Sequence, residues 1–224
     1  MTQDLNKDYP LDPAEIRNLL FDMGGVIINL SIDRSKEAFR ELGLENPDEL
    51  LNAYVQKGAF ARLESGAITP QEFFDEIRSV LPEKCRTAAT NEVIEEAFSK
   101  FLLGLPVDRL RALHDLSAKY NVCLLSNTNA IMWHGKIAAL FRQDGHDLDY
   151  YFPGGVVASF EAKSMKPDKE IFIYAEKHLN IKPEETLFLD DGPANIIAAR
   201  QLCFKALLVK PGTDFMNLLS EYGI

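Results

Sequence analysis

Positive charge is scarce in this chain. Its 224 residues carry 24 Lys and Arg against 34 Asp and Glu, a formal net charge of −10. No Lys/Arg run offsets that balance, so a surface that tracks a nucleic-acid backbone is excluded and no nucleic acid is expected as a partner. Long apolar runs are lacking too. No segment approaches the roughly 20 residues that a membrane-spanning helix needs, and no membrane partner is expected. Cysteine is sparse: Cys85, Cys123 and Cys203 lie far apart, without metal-ligand spacing. Cys123 and Cys203 stand in apolar stretches and are expected to be buried thiols. Residues 1–13 are polar and acidic with no apolar signal-peptide core, so a reducing, cytoplasmic location is expected. Internal repeats and low-complexity tracts are absent. What remains is ordinary globular usage, 46% hydrophobic and 26% charged. The length suits one large domain or a core with a smaller insert. The acidic balance would repel an anionic ligand at long range, so any phosphate site needs local cations, and a divalent metal is the obvious supplier.

Short apolar runs with strand character occupy residues 18–21, 122–125, 186–189 and 206–209, with a further one at 155–158. Runs that are apolar throughout, rather than alternating, point to strands of a parallel sheet covered on both faces. Between them, 107–119, 169–179 and 194–202 carry apolar residues at helical spacing. Strands alternating with such helices imply βαβ units and an α/β sheet. Residues 31–105 differ, with helical patterns at 34–42, 47–55, 69–81 and 90–103 and no strand signal. Thr69-Pro70-Gln71-Glu72 is a helix start: a cap, Pro in the first turn, and Glu three residues after the cap. About 75 residues of helix is too long for a simple crossover, and a small helical subdomain over the sheet's edge is expected.

In an open parallel sheet, ligands bind outside the carboxyl ends of the strands. Past the first run stands Asp22, followed by Gly24 and Gly25; past the second, Ser126-Asn127-Thr128-Asn129; past the 186–189 run, Asp190-Asp191-Gly192. Lys166-Pro167-Asp168 precedes a helix. Each group alone has a plain alternative. Asp22 is also a turn former, Ser126 or Thr128 a helix cap, Lys166 a solvated charge. Together they put carboxylates, a hydroxyl and a lysine in one crevice. Two strand ends can offer carboxylates to one Mg²⁺. A hydroxyl with helix N-terminal N–H groups suits phosphate oxygens, and a lysine balances a phosphoryl group beside a nucleophilic carboxylate.

With these groups in order, the chain resembles the haloacid dehalogenase (HAD) superfamily. Asp22 in Phe-Asp-Met-Gly-Gly-Val matches motif I, Ser126 in Leu-Leu-Ser-Asn-Thr-Asn motif II, Lys166 in Met-Lys-Pro-Asp motif III, and Asp190-Asp191 in Phe-Leu-Asp-Asp-Gly-Pro-Ala-Asn motif IV. They are separated by 104, 40 and 24 residues. Within the superfamily the chain is similar to small bacterial sugar-phosphate phosphatases of the glucose-1-phosphatase type. The resemblance implies a Rossmann-like, mostly parallel sheet flanked by helices, residues 1–30 and 105–224, with an inserted all-helical cap at 31–104. It implies a phosphatase acting on a small phosphorylated metabolite through an aspartyl-phosphate. Asp22 would be the nucleophile, Lys166 its charge partner, and Ser126 with the amide of Asn127 the phosphate grip. Mg²⁺ would be held by Asp22, the carbonyl of Gly24 and Asp191, with Asp190 in support. Asn129 and Asn195 would orient substrate or loops. Oligomeric state is left open.

One position departs from the pattern. Phosphatases of this superfamily carry a second aspartate, the proton donor to the leaving group, two residues after the nucleophile; here that residue is Gly24. Such help is typically worth about 10²–10⁴-fold. A dehalogenase using the same nucleophile, or a weakly active phosphate-binding protein, are the alternatives. A metal-free dehalogenase would leave the paired Asp190 and Asp191 without a role. In the helical insert, Arg62 and Glu64 are candidates to reach a substrate, against a solvated helix end as the plain alternative. Trp133 and His134 either line the crevice or pack a helix. His114, His146 and His178 show no ligand spacing, and residues 142–149 read as a loop.

Overall fold

The structure, a computed structural model, describes residues 4–51 and 57–224. Its strands are β1 (Asn18–Phe21), β2 (Asn29–Leu30), β3 (Leu102–Gly104), β4 (Asn121–Ser126), β5 (Val156–Ala158), β6 (Thr186–Asp190) and β7 (Lys205–Leu208). Five of them form one sheet in the order β5-β4-β1-β6-β7, all neighbours parallel. Each lies within one residue of its expected run. Successive side chains point to opposite faces, yet both faces are covered. Leu19, Phe21, Val122, Leu124, Leu187 and Leu189 join one buried cluster, and Leu20, Cys123, Leu125, Phe188 and Ala206 the other. Burial on both sides is why these strands read as continuous apolar runs.

Between β2 and β3 the chain is helical: α1 (Ile32–Glu41), α2 (Pro47–Leu50), α3 (Gly58–Glu64), α4 (Pro70–Val80), α5 (Glu83–Arg86) and α6 (Asn91–Ser99). The start of α4 is the expected capping box. Thr69 Oγ1 accepts from the Glu72 N–H at 3.2 Å, and the Glu72 carboxylate accepts from the Thr69 N–H at 2.7 Å. Phe39, Phe60, Phe73 and Phe98 are buried together, successive ring centroids 5.1–5.6 Å apart. They belong to the same apolar cluster as Met23, Ile27 and Ile28 beside the sheet. Apolar burial at roughly 25 cal/mol per Å² therefore seats the helices on the sheet's carboxyl edge. The helices that follow are α7 (Val107–Ser117), α8 (Ala130–Met132), α9 (Ala138–Phe141), α10 (Leu148–Tyr151), α11 (Ser159–Ala162), α12 (Lys169–His178), α13 (Pro193–Gln201) and α14 (Phe215–Glu221), with a π turn, Trp133–Ile137, joining α8 to α9. Among the described residues no helix is long and apolar enough to cross a membrane.

Four local expectations need correction. The helix expected at 90–103 stops at Ser99, and Leu102–Gly104 is a strand pairing antiparallel with Asn29–Leu30. The insert is thus not purely helical. Its stem is a two-stranded ribbon whose alternation, Leu102 8% and Leu103 45% exposed, spans too few residues to show as a period. In the helix expected at 47–55, α2 ends at Leu50, Leu51 is extended and buried, and residues 52–55 lie outside the described residues. The loop expected at 142–149 contains a 3₁₀ turn at Arg142–Asp144 and the start of α10. There His146 stacks on Tyr150 and the Tyr151 hydroxyl donates to Asp144, contacts that sequence polarity does not reveal. Cys203 is exposed rather than buried. It takes the left-handed position closing α13, φ 66°, and turns outward while Phe204 turns in.

Candidate active site

The chain leaves β1 for β4 and β5 on one side, then crosses to β6 and β7 on the other. The switch in strand order opens a crevice at the carboxyl ends of three adjacent strands. Phe21 is level with Leu124 of β4 and Leu189 of β6, so Asp22 emerges level with Asp190, and Ser126 stands one residue further along β4. The Asp22 N–H still donates to the Leu189 carbonyl at 2.8 Å. The chain then turns sharply, the Ile28 N–H donating to Met23 and the Gly25 N–H to Ile28. Gly25 has φ +76°, and a Cβ there would lie 2.1 Å from Asp191 Oδ2. Glycine is thus required both by conformation and by the approach of Asp191. Gly25→Ala is expected to displace Asp191 and destabilise the fold by on the order of 1–3 kcal/mol, read as a fall in urea midpoint. An unchanged midpoint would mean that the turn relaxes freely.

Lys166 is the hub. Its Nζ donates to Asp22 Oδ1 at 2.7 Å, Asp190 Oδ2 at 2.7 Å and the Leu125 carbonyl at 2.9 Å, and its side chain is 1% exposed. All three ammonium donors are used. Burial alone would lower the lysine pKa, but the Asp190 and Asp22 charges outweigh it and the pKa stands above the ordinary value. Burial raises the Asp22 carboxyl to about 6; the Lys166 charge works against that rise and the Asp190 charge adds to it. Asp191 is pushed to about 8, by burial first and then by the charges of Asp22 and Asp190. Asp22, Asp190 and Asp191 each offer an oxygen within 4.8 Å of the others. Three such groups with one lysine among them form a site short of positive charge, suited to a hard cation. The three carboxylates are not equivalent. Asp190 Oδ1 accepts from the Gly192 N–H at 2.7 Å and Asn195 Nδ2 at 2.8 Å, while Oδ2 takes Lys166. Asn195 therefore orients Asp190.

The loop after β4 closes the other side. Ser126 is buried at the strand end. The Asn127 side chain does not face a ligand: Nδ2 donates to the Lys166 carbonyl and Oδ1 accepts the Lys166 N–H, both at 2.9 Å. That reciprocal pair fixes the lysine loop and leaves only the Asn127 main chain for a phosphate. Neither Ser126 nor Thr128 caps the next helix. Asn129 does, its Oδ1 accepting the Met132 N–H at 3.1 Å. This bond sets the amide's orientation and leaves Asn129 Nδ2 buried without a partner among the described residues. A narrow cavity of about 30 Å³ lies against these groups, lined by Gly24, Ser126, Asn127, Asn129 and, from α3, Glu64 among others. An orphaned buried donor costs about 1–3 kcal/mol, and a ligand oxygen in the cavity would satisfy it.

Of the other candidates, Glu64 reaches this cavity and Arg62 does not; Arg62 pairs with Glu76 at the surface. Trp133 and His134 pack edge-on against Phe160 and face a separate groove. His114 and His146 stack on Tyr150, and His178 on Tyr174. Ser159 belongs to none of the sequence motifs, yet it joins two of the segments around the cavity. It is fully buried, and its Oγ lies 2.6 Å from the Glu64 carbonyl and 2.9 Å from the Thr128 carbonyl while accepting the Thr128 N–H at 2.9 Å.

A sheet of this order with carboxylates and a hydroxyl at three strand ends, and a lysine reaching them from the loop before α12, defines a class, the haloacid dehalogenase-like hydrolases. A family model of that description matches residues 16–202, and the chain belongs to the family. It is similar to D-ribitol-5-phosphate phosphatase of Bacteroides thetaiotaomicron, with 33% identity over 205 residues, 92% of this chain and 97% of that protein. Among solved structures, a wild-type family enzyme of the same organism in complex with magnesium and inorganic phosphate superposes with a TM-score of 0.82. The two are 36% identical over 91% of this chain and 98% of that one. A predicted HAD-like hydrolase from Porphyromonas gingivalis follows at 0.81 and 32%, covering 92% and 97%.

Proposed function

We propose that this chain is a Mg²⁺-dependent phosphatase of a small phosphate monoester, a sugar or polyol phosphate, working through an aspartyl-phosphate on Asp22. The observation that carries the reading is the Lys166 ammonium held at 2.7 Å from both Asp22 and Asp190, with Asp191 completing the carboxylate cluster. Lys166 keeps Asp22 ionised and aimed while shielding it from the anionic substrate. Ser126, the Asn127 N–H and the free Asn129 amide take phosphoryl oxygens. The donor set fits Mg²⁺, which Asp22, Asp191 and the Gly24 carbonyl would hold, Asp190 being occupied in supporting Lys166. When bound, the ion neutralises phosphate charge and orients it for in-line attack. Residues 31–104 act as the cap over this site, on a core of 1–30 and 105–224. The phosphatase relative makes a pentitol phosphate the first compound to try, and the three free thiols suit a reducing cytoplasm.

Turnover of a panel of sugar and polyol phosphates with and without Mg²⁺ tests the reading. Magnesium-dependent release of phosphate supports it; chloride release from a 2-haloacid with no phosphatase activity overturns it. A stability measurement tests the metal site separately. Asp22 and Asp191 have folded pKa values of about 6 and about 8, above the roughly 4 of an unfolded carboxylate. The metal-free native state therefore binds more protons than the unfolded chain, and its stability falls as pH rises across this window. Since Mg²⁺ binds the ionised carboxylates, the gain in Tm on adding it is expected to be larger near pH 8 than near pH 5. Equal gains at both pH values would place the ion elsewhere.

A further inference from the structure

Position 24 has no side chain, so β1 presents no proton donor beyond the nucleophile itself. Among the other carboxylates near the crevice, Asp190 has its oxygens taken by Lys166, Gly192 and Asn195. Asp191 lies against Gly25, and the exposed Asp33 shares a groove with it on that side. Glu64 alone among the described carboxylates lines the small cavity with Gly24, Ser126 and Asn127. We propose that Glu64, delivered by α3 from the helical insert, is the general acid and base that the motif I segment lacks. The proposal rests on the phosphatase reading above and adds the residue that moves the proton.

Three features fix Glu64 there. Ser159 Oγ reaches both the Glu64 and Thr128 carbonyls, its single proton shared between them, so the end of α3 is tied to the phosphate-binding loop. Lys163 Nζ donates to the Gly66 carbonyl at 2.7 Å just beyond. Gly66, at φ +64°, lets the backbones meet where a Cβ would stand 2.1 Å from the Phe160 carbonyl. The cavity has space for roughly two waters, and among the described residues its lining contains no Lys, Arg or His. In these surroundings burial lifts the Glu64 carboxyl to about 8, so it carries a proton at neutral pH.

The step balances. An Asp22 oxygen bonds to phosphorus as the P–O bond to the alcohol breaks, and the departing oxygen takes the Glu64 proton, releasing the alcohol. The Glu64 carboxylate then removes a proton from water as the water oxygen bonds to phosphorus. The P–O bond to Asp22 breaks, phosphate leaves, and Glu64 is protonated again.

The test uses Glu64→Gln and Glu64→Asp with Mg²⁺ on two substrates, ribitol 5-phosphate and p-nitrophenyl phosphate. Wild-type turnover of either establishes the phosphatase reading on its own. For Glu64→Gln, kcat on the alkyl phosphate is expected to fall by about 10²–10⁴-fold with KM little changed. With p-nitrophenyl phosphate, whose leaving group needs no proton, a rapid burst of one equivalent is expected, then slow turnover as the aspartyl-phosphate persists. Glu64→Asp recovers part of the loss. Ser159→Ala, at a positioning residue, shows a smaller loss with the same dependence on leaving group. A rise in KM with kcat within about threefold of wild type, an equal loss on both substrates without a burst, or the leaving-group-dependent loss appearing instead in Asp33→Asn would each overturn the assignment.

Discussion

Asp22→Asn is expected to lower turnover by at least about 10⁴-fold, the order of loss seen when a nucleophile that acts with its partners is removed. Nothing else at the end of β1 can replace it. Lys166 would keep Asp190 and the Leu125 carbonyl as partners, so the fold is expected to survive. An amide at position 22 also carries no charge to desolvate, and burial is the main force pushing the Asp22 carboxyl up to about 6. Tm of the metal-free variant should therefore match or exceed wild type. Two measurements decide it: steady-state phosphate release, and acid-quench trapping of phosphorylated protein. Retention of either within tenfold of wild type removes Asp22 from the role.

Lys166→Met is expected to damage both stability and activity. The ammonium is the counterion of two buried carboxylates at once, and breaking a buried pair by removing one partner typically costs about 3–5 kcal/mol. Loss of a positioned charge at a developing anion costs a further ~10²–10³ in kcat. The pH dependence is specific. Without Lys166, the opposition to the rise in Asp22 pKa disappears, so the native state holds its protons to higher pH than before. Stability then falls more steeply as pH rises, and the deficit against wild type is larger near pH 8 than near pH 5. Urea titrations at the two values read it directly. A deficit below about 1 kcal/mol at both would show that the lysine is not the counterion.

The core strands were legible because each is buried on both faces and so reads as an uninterrupted apolar run. The chemical groups were legible because a parallel sheet exposes functional side chains only past its strand ends. The capping box before α4 was visible for a similar reason, since its partners lie three residues apart. Short-range logic failed where few residues carried the signal. The β2–β3 stem has two and three residues, too few to express a period, and Cys203 turned outward on a single left-handed residue. Asn127 shows a subtler limit. Its place beside Ser126 was evident, but its side chain is spent on the Lys166 loop rather than on a ligand. Ser159 had no sequence signal at all, since a serine opening a short helix is commonplace.

By itself the sequence determined that the chain would build a parallel α/β sheet, interrupt it with a helical insert, and carry a carboxylate, a hydroxyl and two acids past strand ends, with a lysine ahead of a helix. It also determined that the residue two positions after Asp22 has no side chain. Tertiary structure decided the rest. The order β5-β4-β1-β6-β7 sets Asp22 between Ser126 and Asp190. Lys166 reaches Asp22 across 144 residues of chain, and Ser159 reaches the Glu64 carbonyl across 95. Local patterns encode elements because their energetics are summed over neighbours in the chain. Which acid faces the cavity beside Gly24 depends on contacts between distant segments, and those form only when the insert settles on the core, α3 against α11 and α6 against α8.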